Sequence, residues 1–137
     1  MGRKRVFVTG MGVFCPLGGE IKEFWNNLSH GKSGVHHITK FDPTPSLTRV
    51  AGVIQNYDPK SYFSPREQRS CEAFVQYGLL AAREAIAQSE ITGPDLPKCA
   101  VVVGTGIGGI VSYKSAYDAL YLPEKNRKIN AFTIPKM

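Results

Sequence analysis

An α/β fold with a partly parallel sheet is what this sequence predicts, and three observations predict it. Two apolar, β-branched runs, Arg5 to Thr9 and Lys98 to Val103, each end in glycine, as strands buried on both faces do when they turn. Segments with one apolar helical face lie between and after those runs. Strand and helix therefore alternate along the chain in the order β-α-β-α-β-α. The 137 residues, 42% apolar and 20% charged, have the balance of a folded domain large enough for one sizeable core.

Each element has its own justification. Arg5-Val6-Phe7-Val8-Thr9 runs into Gly10-Met11-Gly12, which reads as a core strand and its turn. Ile21, Phe24, Trp25 and Leu28 fall at i, i+3, i+4 and i+7, one face of a short helix that stops near Gly31. An irregular stretch, Lys32 to Leu47, precedes a second strand candidate over Arg49 to Ile54, weakened by Gly52. Ser64-Pro65-Arg66-Glu67 then places a hydroxyl at an N-cap, proline at the first helical position and a carboxylate at the third. The pattern predicts a helix from there to about Gln88, with Gly78, Ala81, Ala82 and Ala85 offering a surface for close packing. Lys98 to Val103 is the third strand, followed by Gly104-Thr105-Gly106-Ile107-Gly108-Gly109 and a helix to about Leu122, closed by Pro123.

Several function classes are excluded at this level. A net charge of +6 invites a nucleic-acid reading, but the basic residues are scattered in short groups without interleaved aromatics. No apolar run approaches the roughly 18 residues of a membrane span, and Met-Gly-Arg-Lys-Arg-Val lacks the apolar segment of a signal peptide, so a cytosolic protein is expected. Cys15, Cys71 and Cys99 form no metal or disulfide pattern and are expected to be buried, reduced thiols. His30, His36 and His37 have no metal-ligating companions and are expected in solvent-exposed loops. The glycine run at 104–109 matches a dinucleotide-binding pattern only in part, since no strand with a terminal acidic residue follows it. A tight strand-to-helix crossing beside an apolar cavity, with Ile107 pointing inward, is the better reading. No cofactor or metal is expected, and no catalytic constellation can be assembled from these residues.

The motifs taken together are more specific than any one of them. Arg5 to Val13, Pro16-Leu17-Gly18, Phe24-Trp25, Gly31-Lys32-Ser33-Gly34-Val35, Phe41-Asp42, Ala51-Gly52, Phe74-Val75-Gln76-Tyr77 and Gly104 to Gly109 occur in this order. The concatenation resembles the β-ketoacyl-acyl-carrier-protein synthase II family nearly continuously from residue 4 to 137; a polyketide ketosynthase, or a non-catalytic chain-length partner of one, shares many of these pieces.

The resemblance implies a thiolase-like fold, with residues 1–137 forming an N-terminal segment of the first α/β half of a layered α-β-α-β-α architecture. It implies an acyltransferase, homodimeric and cytoplasmic, that elongates fatty acyl chains by decarboxylative Claisen condensation. In the family the nucleophilic cysteine follows the segment matching Phe132 to Met137, and the two assisting histidines come later. The chain is therefore expected to be truncated, to lack the catalytic residues, to be inactive alone and to expose apolar surface. A stand-alone, non-catalytic docking or dimerisation module is the alternative. Residue by residue, Arg66, Arg69, Arg127 and Lys128 resemble the basic groups that receive acidic acyl carrier protein, loaded with acyl or malonyl groups. Ser70 replaces a frequent basic residue there, and Glu72 a usual aspartate. Ile107 and Phe132 resemble residues of the acyl pocket, with Thr133 replacing a frequent second phenylalanine.

Overall fold

A capping box starts one helix, and others start on residues that give no side-chain cap. The computed structural model describes residues 3–122 and 128–137, in which the helices are α1 (Ile21–Ser29), α2 (Pro65–Ser70), α3 (Ala73–Ser89), α4 (Ile110–Tyr121) and α5 (Thr133–Lys136). Strands β1 (Val35–His37) and β2 (Val50–Gly52) pair antiparallel, with His36 opposite Ala51. Two compact units divide the chain, Met1–Tyr57 with Tyr77–Lys98 and Asp58–Gln76 with Cys99–Met137.

In the first unit, the glycine turn after the N-terminal run lies directly on α3. A Cβ at Gly10 would come within 2.0 Å of the Ala85 carbonyl oxygen, and one at Gly12 within 1.9 Å of that of Ala81. The small residues of α3 thus receive a backbone, as their spacing predicts, although Gly78 itself has nothing within 4 Å of its Cβ position. Between the small residues, acceptors satisfy the loop's amides. Gln88 Oε1 accepts from Met11 N at 2.6 Å, while the two oxygens of Glu84 accept from Val13 N at 3.0 Å and Ile21 N at 2.8 Å. The last of these bonds serves α1, whose N-cap residue Glu20 supplies no side-chain cap of its own. At its other end α1 stops at Gly31, in the left-handed region at φ 66°, with Gly31 N donating to Leu28 O at 3.0 Å. Phe14, Tyr57 and Tyr77 form an aromatic triangle with centroid separations of 5.1 to 5.5 Å.

The second unit is built on caps. Asp58 Oδ1 accepts from Lys60 N at 3.0 Å to start a 3₁₀ turn over Pro59–Ser61. Ser64 and Glu67 complete the expected capping box at the start of α2, Glu67 Oε2 accepting from Ser64 N at 2.7 Å and Ser64 Oγ from Glu67 N at 3.3 Å. The helix then ends early. Cys71 is extended at φ −120°, ψ 127°, so the single helix expected from Ser64 to Gln88 is two helices. Gln76, one of the buried residues, turns back to donate to the Cys71 carbonyl at 2.9 Å, which supports the break. Phe63 is 4% exposed and forms the apolar centre of this region.

The expected parallel sheet is not assembled by the described residues. Arg5–Thr9 and the run to Val103 carry no strand pairing, and Val6 and Val102 are 93% and 95% exposed. A β-ladder needs a neighbour for every backbone amide and a cover for each face, and neither run finds one here. Of the second candidate, Arg49 to Ile54, only Val50–Gly52 is strand, and His36 and His37, expected in a loop, are its partners in β1. Both histidines are exposed, as is His30. The cysteines form no disulfide but are not buried, Cys15 and Cys71 being partly covered and Cys99 exposed. No helix of the described residues is long and apolar enough to cross a membrane.

Candidate functional site

The residues singled out by the sequence lie in the second unit, and its electrostatics begin with its carboxylates. Among its described acidic residues, Asp58 caps Lys60 and Glu67 caps α2. Asp118 pairs with Lys114 at 2.7 Å across one turn of α4. Glu72 accepts from the backbone N–H of Ser112. Each of them is thus engaged by a donor of the same unit. Arg66 and Arg69, both exposed and three residues apart on α2, have no ion-pair partner among the described residues. Lys128 is likewise exposed. Arg127, the fourth expected docking residue, lies outside the described residues.

Glu72 performs a task the sequence reasoning missed. The N-cap residue of α4 is Gly109, at φ 73°, which has no side chain with which to satisfy the helix's first amides. Glu72 supplies the missing acceptor from 40 positions away, placing a carboxylate at the positive end of the helix dipole. Two side chains from one short stretch hold the turn before α4, because the Phe74 ring also lies where a Cβ on Gly108 would come within 2.9 Å. The signal available in the sequence was the helix start itself: a glycine N-cap leaves amides that some distant acceptor must satisfy. Glu84 and Gln88 carry the same signal, alternating with the small residues Ala81 and Ala85 along one face of α3.

Beside Glu72 is a cleft of about 310 Å³ whose lining includes Gln68, Cys71, Ser112 and Thr133. Thr133, at the start of α5, thus presents a polar wall where the resemblance anticipates an aromatic one. Ile107 is 73% exposed and Phe132 50% exposed, so neither is a core residue of this chain. The inward orientation expected of Ile107 is not realised by contacts among the described residues. Gly104 and Gly106, which precede it, have nothing within 4 Å of either Cβ position. No group of three His, Cys, Asp or Glu side chains among the described residues could hold a metal ion.

Comparison with known proteins places this geometry. The chain is 39% identical to the 3-oxoacyl-[acyl-carrier-protein] synthase 2 of Coxiella burnetii, over 98% of this chain and 33% of that protein. It is 36% identical to the synthase 2 of Vibrio harveyi over the same shares. The chain thus spans about a third of the length of these curated relatives. Among solved structures, a β-ketoacyl synthase from Burkholderia phymatum superposes with a TM-score of 0.72 at 21% identity, over 98% of this chain and 34% of that one. The ishigamide ketosynthase/chain length factor gives a TM-score of 0.70 at 22% identity with the same coverage. The backbone therefore follows the thiolase-like α/β course of the ketosynthases, even where its strands lack partners. Residues 3–137 match the family model described as the β-ketoacyl synthase N-terminal domain, and the chain belongs to that family.

Proposed function

We propose that this chain is the carrier-docking and pocket-lining segment of a 3-oxoacyl-acyl-carrier-protein synthase of type II. In the complete reaction an acyl group passes from its carrier protein to a cysteine thiolate, releasing the carrier thiol. Malonyl-carrier protein loses CO₂, its carbanion attacks the acyl-enzyme carbonyl, and collapse expels the cysteine thiolate and leaves a 3-oxoacyl-carrier protein. The resemblance assigns the nucleophile and both histidines to positions beyond those matched here, so Cys15, Cys71 and Cys99 take no part. A homodimer in the cytoplasm, working without metal or cofactor, belongs to the same reading. Within it, Arg66, Arg69, Arg127 and Lys128 receive the acidic carrier protein, and Ile107 and Phe132 border the acyl chain.

The observation that carries the docking role is that Arg66 and Arg69 have no ion-pair partner among the described residues, in a unit whose described carboxylates are engaged elsewhere. Exposed charges of this kind steer an oppositely charged partner and act mainly on its association rate. Titration of acyl carrier protein against the purified protein tests it. Affinity should fall as salt rises, and the double reversal Arg66→Glu with Arg69→Glu should weaken it about tenfold. Unchanged binding by the double variant, or binding indifferent to salt, would remove the docking role. The chain of 137 residues should show no condensation by itself; turnover by it alone would refute the assignment of the chemistry to other residues.

A further inference from the structure

We infer that Glu72 is a positioning residue for the acyl pocket, holding the turn that carries Ile107 without touching substrate. The inference deepens the proposed function and rests on its placing of Ile107 beside the acyl chain.

Three observations converge on the turn at 104–112. Its first half is loosely packed, since a Cβ added at Gly104 or Gly106, both just before Ile107, would face open space. Its second half is held at named points. Gly108 has the Phe74 ring where its Cβ would be, Gly109 takes a left-handed φ of 73°, and Ser112 N donates to Glu72. Glu72 and Phe74 both sit at the junction between α2 and α3, immediately after the helix that carries Arg66 and Arg69. The place of Ile107 thus depends on a bond made from the end of the docking helix. Removing the acceptor leaves an amide of a glycine-capped helix unsatisfied and frees the turn.

The test uses the complete ketosynthase carrying this segment and has two readouts. Hydrogen exchange reports whether Glu72 holds the turn: in Glu72→Ala, amides over 104–112 should exchange about fivefold faster, with the far end of α4 unchanged. Kinetics report whether the turn governs selectivity. The ratio of kcat/KM for long over short acyl donors should change about threefold or more, with KM for malonyl-carrier protein unaltered. Glu72→Gln keeps a side-chain carbonyl acceptor and should restore both. Should Glu72→Ala fail to fold, Glu72→Asp, one methylene shorter, must shift the same ratio.

Unchanged exchange in the alanine variant, or an equal loss for every acyl length, would overturn the inference. A wild-type enzyme that treats all lengths alike would instead refute the placing of Ile107 and remove the selectivity half, while exchange would still decide whether Glu72 holds the turn. Failure of the arginine reversals to weaken carrier binding bears on docking alone.

Discussion

The two glycine turns, Gly10 to Gly12 and Gly104 to Gly109, look alike in sequence and differ in what makes glycine necessary. Each follows an exposed β-branched run and leads toward a helix, and each is tied by a carboxylate, Glu84 in one case and Glu72 in the other. In the first turn both glycines press on the backbone of α3, with less than the radius of a methyl group to spare. In the second, a Cβ on Gly104 or Gly106 would meet nothing, and only Gly108 and Gly109 are constrained, one by the Phe74 ring and the Thr105 methyl, the other by its left-handed dihedral angle and by Met137, 2.4 Å from its Cβ position. The first turn is a packing contact. The second is half anchor and half free backbone, and its free half carries the residue that the resemblance places at the acyl chain.

The comparison breaks most easily at the first turn. Gly12→Ala should cost about 3 kcal/mol or more, because the added carbon meets a helix carbonyl oxygen and not a movable side-chain tip. Gly104→Ala and Gly106→Ala should change stability by less than about 0.5 kcal/mol, since neither site has a close neighbour or a left-handed φ. Denaturant titration of the three variants decides it. Comparable losses at Gly12 and Gly106 would mean that the second turn is packed as tightly as the first.

A smaller effect separates the two carboxylates. Glu84 accepts from two amides and Glu72 from one. Glu84→Ala should therefore destabilise by about 2 to 3 kcal/mol, more than Glu72→Ala, because two half-buried N–H groups lose a charged partner at once. It should also accelerate exchange at Val13 and at Ile21 together. Faster exchange at only one of them would show that the loop and α1 are held independently.

How far the sequence foretold these features depends on whether their cause was local. The Ser64 capping box, the stop of α1 near Gly31 and the end of α4 near Leu122 were legible because their determinants lie within a few residues of one another. The break at Cys71 was not, because helix continuation there competes with the distant bond of Glu72 to Ser112 and with the return of Gln76 to the Cys71 carbonyl. The strands at Arg5–Thr9 and Lys98–Val103 failed for a related reason. Apolar β-branched composition states that a segment suits a buried sheet, but the neighbour that makes it a strand is supplied by other chain, and none among the described residues does so. At the candidate site, the basic residues were legible as charges. That Arg66 and Arg69 have no ion-pair partner among the described residues depends on where each carboxylate of the folded unit finds its donor.

The smallest effect concerns the aromatic triangle beside the first turn. Burial among Phe14 and Tyr57 raises the Tyr77 hydroxyl above the ordinary tyrosine value of 10.0. The folded protein therefore keeps the Tyr77 proton at a pH where the unfolded chain has released it. Its contribution to stability is fully present below the ordinary value and is lost as pH rises through the higher, folded one. Other tyrosines and the lysines titrate in the same range, so the informative quantity is a difference. Tyr77→Phe keeps the ring in its stack and removes the ionisation. Relative to that variant, the wild type should hold its denaturation midpoint up to about pH 9.5 and lose ground above it. Parallel midpoints across the alkaline range would show that Tyr77 is as well solvated in the folded protein as in the unfolded chain, and that the triangle gives the first turn no buried support.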